Sequence, residues 1–116
     1  MKINNPNGVW PTMITLYKES GEIDFDAIER MVEWFIQNKV DGLFAVCQSS
    51  EMFFLSLEER VKLAAFVVEK AAGRVPVIAS GHISDSLEDQ ARELTAMSKT
   101  GVEAVILISN RLAGAD

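Results

Sequence analysis

Residues 43–51 read LFAVCQSSE, an apolar run of five residues that becomes polar at Gln48. A short apolar run of this kind, bounded by a turn, is typical of a parallel strand that is buried on both faces. The chain has three other such runs, at residues 9–16, 75–80 and 104–109. Equivalent positions in successive runs are 34, 34 and 28 residues apart. Because a strand–helix–strand unit takes about 30 residues, this spacing predicts four parallel strands with one crossover helix between each successive pair.

The three segments between these runs carry helix signals. Asp24 is a suitable N-cap for the first helix, whose apolar residues then recur at helical spacing. Ser56 and Glu59 form a capping box at the start of the second helix. The third helix begins near Asp85 or Ser86. The chain is therefore predicted to be an α/β protein.

The composition narrows the class of protein. The chain has 116 residues, 48% of them hydrophobic, with 17 acidic against 11 basic residues and a net charge of -6. The length suits a single domain over residues 1–116, and the apolar fraction excludes wholesale disorder. The acidic balance argues against nucleic acid as a partner, and no apolar run approaches the roughly 20 residues that span a membrane. The single cysteine, Cys47, predicts neither an internal disulfide nor a metal site. The amino terminus lacks the apolar core of a signal peptide, so a cytoplasmic location is expected.

Four parallel strands with alternating helices fit two architectures. One is an open doubly wound sheet, which a chain of this length could complete alone. The other is a (β/α)8 barrel, which takes about 250 residues and would be less than half present here. In both, ligands bind at the carboxyl ends of the strands, where polar residues gather at 15–18, 47–51, 81–85 and 109–111. Neither of the common glycine-rich phosphate loops occurs, which weighs against a nucleotide site in the open sheet.

The turn at residues 47–51 is the strongest candidate site. Its backbone N–H groups and two serine hydroxyls suit a carboxylate or another small anion, although a plain turn with solvated hydroxyls fits the same pattern. Cys47 is a candidate nucleophile, but free cysteines are more often inert core residues. His82 could carry a proton, although an ordinary loop histidine is favoured. Arg111 could pair with a carboxylate through two hydrogen bonds or be an ordinary surface arginine.

Seven short motifs follow one another along the chain. They lie at residues 8–17, 20–24, 39–43, 47–51, 55–60, 75–79 and 100–105. The fourth reads Cys-Gln-Ser-Ser-Glu and the fifth reads Leu-Ser-Leu-Glu-Glu-Arg. In order and spacing they resemble the dihydrodipicolinate synthase and N-acetylneuraminate lyase family of Schiff-base aldolases. That family has Gly-Thr-Thr-Gly-Glu and Leu-Thr-x-Glu-Glu-Arg at these two places, and the resemblance covers about residues 8–111.

The resemblance implies a (β/α)8 TIM barrel, of which this chain holds about the first half. Family members form an imine between a lysine on the sixth strand and a 2-oxo acid, commonly pyruvate, so that a carbon–carbon bond can form or break beside it. The family's Gly-Thr-Thr-Gly-Glu turn holds the carboxylate, so Gln48, Ser49 and Ser50 are the implied substrate-binding residues. Arg111 stands where the family has its acid–base tyrosine, and a guanidinium cannot relay a proton in its place. From its position alone, Arg111 is expected to bind a second acidic group of the substrate.

Two departures from the family pattern refine this expectation. Gln48 and Arg111 replace hydroxyl groups of the synthases' proton relay, so we expect a lyase acting on another 2-oxo acid or a sugar acid, without a cofactor. The lysines are Lys2, Lys18, Lys39, Lys62, Lys70 and Lys99. None is placed on a strand facing a barrel lumen, so the Schiff-base lysine is expected beyond residue 116. No residue of this segment is therefore assigned as catalytic, and the segment alone is predicted to be inactive.

A half barrel would leave strand edges and apolar helix faces unpaired, which invites association. The family commonly forms dimers and tetramers, so the resemblance implies a homo-oligomer that binds a small 2-oxo acid. The acidic charge and the short apolar runs predict neither nucleic acid nor a membrane as a partner. The alternative is a non-catalytic open α/β module that binds a ligand or assembles with itself. A compact monomer in size-exclusion chromatography would favour that module, whereas self-association would favour the half barrel.

Overall fold

A computed structural model of the chain describes residue 3 and residues 6–113, in which helices alternate with parallel strands. The helices are α1 (Phe25–Gln37), α2 (Leu57–Ala71), α3 (Leu87–Ser98) and the short α4 (Ser109–Leu112), and the strands are β1 (Leu43–Phe44), β2 (Val77–Ala79) and β3 (Ala104–Val105). The strands form one parallel sheet in the order β1-β2-β3. The predicted α/β class with parallel strands is confirmed.

The first predicted strand, residues 9–16, is an extended segment rather than a full strand. It runs parallel to β1 and forms one bridge to it, between Thr12 and Phe44. The Phe44 N–H donates to the carbonyl oxygen of Pro11 at 3.0 Å, and the Met13 N–H donates to that of Phe44 at 2.9 Å. Pro11 has no N–H with which to extend this ladder towards the start of the chain. Four chain segments therefore lie side by side, but only three of them pair as strands in the described part of the chain.

The three long helices begin at the expected N-caps. The Asp24 carboxylate accepts a first-turn N–H of α1 at 3.0 Å. Ser56 and Glu59 make both hydrogen bonds of the capping box, at 3.1 and 2.9 Å. The Ser86 hydroxyl accepts a first-turn N–H of α3 at 3.1 Å. Each cap satisfies a donor that the helix itself leaves unpaired, and no helix within the described residues is long and apolar enough to cross a bilayer.

The fourth predicted strand, residues 104–109, is wrong at its end, because β3 is shorter and α4 begins inside the predicted run. The Ile108 N–H does not continue the sheet but donates to a ring nitrogen of His82 at 2.8 Å. A side chain thus takes a donor that a longer strand would have used. Arg111 consequently stands on a short helix instead of in a loop beyond the strand.

The two faces of the sheet differ in burial. The face towards the helices carries the fully buried side chains Met13, Leu43, Ala45, Val77 and Ala79. The opposite face carries the partly buried side chains Trp10, Phe44, Ile78 and Ile106. The Trp10 ring lies so close to Gly42 that a Cβ at that position would be 2.2 Å from it, which explains why glycine precedes β1. Apolar surface therefore remains partly open on one side of the sheet.

Candidate functional site

The carboxyl ends of the parallel strands meet at one edge of the sheet. After β1 the chain forms two successive 3-10 turns, Gln48–Ser50 and Met52–Phe54, whereas β3 leads into α4. A depression of about 190 Å³ lies here, lined by Thr12, Phe44, Cys47, Gln48, Ser49, Ile106 and Ile108. The structure therefore brings two of the predicted site residues, Gln48 and Ser49, to a cavity at this edge, with both of their side chains exposed.

Ser50 is fully buried and holds the turn in place. Its hydroxyl donates to the carbonyl oxygen of Met13 at 2.5 Å, lies 3.2 Å from that of Ala45, and accepts the Cys47 N–H at 3.1 Å. The Thr15 hydroxyl donates to the Ser50 carbonyl oxygen at 2.5 Å. The Ser50 side chain thus joins the turn to the first extended segment, and its hydroxyl is already fully engaged with the backbone. Cys47 is buried beside it, as an inert core cysteine would be.

Tyr17 lies beside this turn, although the sequence analysis did not select it as a site residue. Its hydroxyl lies near enough to the carboxylate of Glu51, the residue that follows the turn, for the two groups to interact. Glu51 has a left-handed backbone with φ of 61°, an uncommon conformation for a residue other than glycine. Burial raises the pKa of Tyr17, and its interaction with the negatively charged Glu51 carboxylate raises it further. The position of Tyr17 at the end of the first apolar run was the signal that could have identified it.

Alkaline titration should show this coupling directly, because Tyr17 is the only tyrosine of the chain. We expect its pKa, followed by the ultraviolet absorbance of the phenolate, to lie above the ordinary value of about 10. The stabilisation linked to the phenol is therefore fully present below about pH 10 and is lost as the pH rises through the folded-state value. Glu51→Gln should lower the pKa, whereas Glu69→Gln, on an exposed position of α2, should leave it unchanged. A pKa that does not respond to Glu51→Gln would contradict the contact.

His82 is not a solvated loop residue, because it is fully buried and both of its ring nitrogens have partners. Nε2 accepts the Ile108 N–H at 2.8 Å, so the ring proton must reside on Nδ1. Nδ1 therefore donates to the Gln90 side-chain oxygen at 2.6 Å. The Gln90 amide group in turn donates to the Arg111 carbonyl oxygen at 3.2 Å. The neutral imidazole thus joins the end of β2 to α3 and α4.

Arg111 lies at the same edge of the sheet but does not line the depression beside Ser49. Its guanidinium Nη2 donates to the carbonyl oxygens of Ile83 and, at 3.0 Å, of Ser84. The guanidinium carbon lies 5.7 Å from the centre of the Phe53 ring. The arginine is therefore held by the loop between β2 and α3, unlike an ordinary surface arginine.

A buried ion pair that the sequence analysis missed lies behind this loop. Arg60 on α2 and Glu93 on α3 are joined at 2.9 Å, with side chains only 3% and 6% exposed. Burial lowers the pKa of Arg60, although the charge of Glu93 opposes that shift. Within the described residues, two further guanidinium nitrogens of Arg60 are buried without a hydrogen-bond partner. The sequence carried this signal only on α2, where the other buried residues beside Arg60 are apolar. On α3, Glu93 shares the buried face with the polar Gln90 and with Met97.

The chain also resembles known proteins in sequence. The family model described as "Dihydrodipicolinate synthetase family" matches residues 5–110. The 4-hydroxy-tetrahydrodipicolinate synthase of Oceanobacillus iheyensis is 37% identical over 102 residues, which are 87% of this chain and 34% of that protein. The corresponding enzyme of Bacillus subtilis is 31% identical over 105 residues, which are 90% of this chain and 36% of that protein. The chain thus spans about a third of the length of the curated relatives it matches.

Solved structures show the same relationship. A dihydrodipicolinate synthase of Bacillus anthracis aligns with a TM-score of 0.79 and 31% identity, covering 86% of this chain and 34% of its own. The chloride-inhibited enzyme of Acinetobacter baumannii, complexed with pyruvate, aligns with a TM-score of 0.79 and 26% identity, covering 84% of this chain and 33% of its own. The partial parallel sheet with its helices therefore corresponds to the first portion of a TIM barrel. The family model covers nearly the whole chain and the fold agrees with it, so the chain belongs to the dihydrodipicolinate synthetase family.

Proposed function

We propose that this chain supplies the carboxylate-binding part of a lyase that acts on pyruvate or another 2-oxo acid through a lysine imine. The observation that carries the proposal is the exposed Gln48–Ser49 turn beside a depression of about 190 Å³ at the carboxyl end of the sheet. Membership of the family supports the lyase chemistry, and the Acinetobacter baumannii structure contains pyruvate. A cytoplasmic location, a dimeric or tetrameric assembly, and a single unit over residues 1–116 stay predictions.

The proposed carboxylate site uses three neighbouring residues in different ways. The Ser49 hydroxyl and the Gln48 side-chain amide are exposed and can donate to a carboxylate. The first N–H groups of the 3-10 turn have no carbonyl partner within the turn, so they can donate as well. Ser50 contributes by anchoring the turn, since its hydroxyl is bonded to backbone groups. Hydrogen bonds to an ionised carboxylate are roughly twice as strong as neutral ones, so a few such donors suffice to orient a keto acid.

Arg111 is proposed to bind a second acidic group of the substrate. Its guanidinium remains charged at any physiological pH and can pair with a carboxylate through two parallel hydrogen bonds. It stands at the same end of the sheet as the Gln48–Ser50 turn, so both ends of a dicarboxylic 2-oxo acid could be held there. A guanidinium in place of a phenol supplies binding rather than proton transfer.

The imine-forming lysine is proposed to lie outside the lysines of this chain. Four of these lysines are exposed, namely Lys18, Lys39, Lys62 and Lys99. Lys70 pairs with Glu29 at 3.2 Å on the outer side of α1 and α2. Lys2 lies outside the described residues. An imine requires the free amine to attack the substrate carbonyl with loss of water. We therefore infer that the chain binds a keto acid but does not form the imine by itself.

Titration calorimetry with pyruvate tests the carboxylate site. We expect Ser49→Ala to weaken binding about tenfold, because it removes a hydrogen bond to a charged group. Ser98→Ala is the matched control, since its hydroxyl is exposed on α3 and bonds only to a carbonyl one turn earlier, at 2.6 Å. Equal affinities for the parent chain and the Ser49→Ala variant would exclude this turn as the carboxylate site. Borohydride treatment with pyruvate should add no mass to the chain, and a stable adduct would show that the lysine assignment is wrong.

A further inference from the structure

We propose that Glu93 is the positioning residue that fixes Arg111 at the carboxyl end of the sheet. Through Arg111 it sets the preference of the site for substrates with a second acidic group. This inference rests on the proposed function, in which Arg111 binds that group. It is carried by the contacts of the loop between β2 and α3, residues 80–86, which lies between the two side chains.

The Glu93 carboxylate makes contacts on two sides. One oxygen accepts the backbone N–H groups of Ile83 and Ser84, at 3.2 and 3.0 Å. The other oxygen accepts a guanidinium N–H of Arg60 at 2.9 Å. Both charged side chains are almost fully buried, so moving either one into solvent would leave the other as a buried charge without a counter-ion. The loop is therefore anchored to the interior between α2 and α3.

The same two loop residues present their carbonyl oxygens to Arg111. Nη2 of Arg111 donates to the carbonyls of Ile83 and Ser84 and lies 3.4 Å from a side-chain oxygen of Asp85. The Ile83 carbonyl and the Ser84 N–H belong to one planar peptide group, whose two ends point in opposite directions. Glu93 thus holds one end of that peptide while Arg111 binds the other. A change in the position of Glu93 must rotate or shift the acceptor on which Arg111 depends.

The guanidinium held in this way still has a donor for a ligand. Within residues 6–113, all of the side-chain hydrogen bonds of Arg111 use Nη2. Nε is buried without a partner among the described residues, whereas Nη1 is not among the buried unpaired atoms. The guanidinium carbon lies over the Phe53 ring, 5.7 Å from its centre, and the Gln90 side chain donates to the Arg111 carbonyl at 3.2 Å. Both the main chain and the side chain of Arg111 are thus fixed before a ligand arrives, which reduces the ordering cost of binding.

The test compares two ligands of equal chain length, 2-oxoglutarate and 2-oxopentanoate, which differ in the second carboxylate. Glu93→Ala is unsuitable because it leaves Arg60 buried without its counter-ion. The first double variant is Arg60→Met with Glu93→Gln, which keeps an oxygen for the loop N–H groups, and the second is Arg60→Met with Glu93→Leu, which removes it. Affinities for both ligands are measured by calorimetry, after circular dichroism has established that each variant retains the helix content of the parent chain.

We expect the parent chain to bind 2-oxoglutarate about tenfold more tightly than 2-oxopentanoate. The double variant with Glu93→Gln should retain this tenfold ratio of affinities. The double variant with Glu93→Leu should bind 2-oxoglutarate more weakly and 2-oxopentanoate as before, so that the ratio disappears. A ratio that is unchanged by Glu93→Leu would overturn the role of Glu93 and leave the proposed function standing. Equal affinities of the parent chain for the two ligands would overturn the inference through Arg111. Failure of the parent chain to bind either ligand would instead overturn the proposed function.

Discussion

Replacing Glu93 by alanine is expected to lower the free energy of unfolding by about 3–5 kcal/mol. The change removes the counter-ion of Arg60, whose side chain is only 3% exposed and already has two buried nitrogens without partners among the described residues. It also removes the acceptor of two loop N–H groups. Because a domain is stable by only about 5–15 kcal/mol, this loss should consume much of the margin. Urea unfolding followed by far-ultraviolet circular dichroism measures it.

Two further variants distinguish the cost of leaving one charge buried and unpaired from the cost of losing an ion pair. Arg60→Met combined with Glu93→Gln should recover most of the loss, because replacing both members of a buried pair is often close to neutral. Glu29→Ala breaks the more exposed pair with Lys70 on the outer surface and should cost less than about 1 kcal/mol. If Glu93→Ala cost no more than Glu29→Ala, the Arg60 guanidinium would have to be hydrated rather than buried.

Most of the fold could be predicted because its signals are local. Asp24, Ser56 and Ser86 each cap a helix with groups that lie within three residues in the sequence. The spacing of the apolar runs likewise predicts parallel strands with crossover helices. One failure has a local cause, because Pro11 lies in the first segment and lacks the N–H that would extend its pairing. The other is non-local, because the imidazole of His82 takes a donor from the end of the fourth segment, 26 positions away.

The candidate site was predictable in position but not in its internal contacts. The polar turn after β1 is evident from the change in composition at Gln48, and the structure places it beside a depression. That the Ser50 hydroxyl bonds to Met13 could not be inferred, because the two residues are 37 positions apart. The contact between Arg60 and Glu93 could not be inferred either, because the two residues are 33 positions apart and lie on different predicted helices. A charged residue on an apolar helix stripe indicates that a partner is needed, but it does not identify the partner.

Replacing His82 by leucine is expected to destabilise the chain by about 2–6 kcal/mol, because it leaves two buried or partly buried polar groups unpaired at about 1–3 kcal/mol each. These are the Ile108 N–H and the side-chain oxygen of Gln90, which the imidazole now joins at 2.8 and 2.6 Å. The loss should appear in urea unfolding. Nitrogen NMR of the parent chain should show a neutral ring protonated at Nδ1, since Nε2 must accept the Ile108 N–H.

The cost of His82→Leu should depend on Gln90 if the network, and not the volume of the imidazole, is responsible. His82→Leu combined with Gln90→Leu removes the orphaned amide, so it should be less destabilising than the sum of the two single changes. The Ile108 N–H stays unpaired both in His82→Leu and in the double variant, so the double variant cannot regain the full stability of the parent chain. Strict additivity, or a ring protonated at Nε2, would mean that His82 merely fills space. Coupling together with an Nδ1 proton would instead establish that a neutral histidine joins β2 to the helix that carries Arg111.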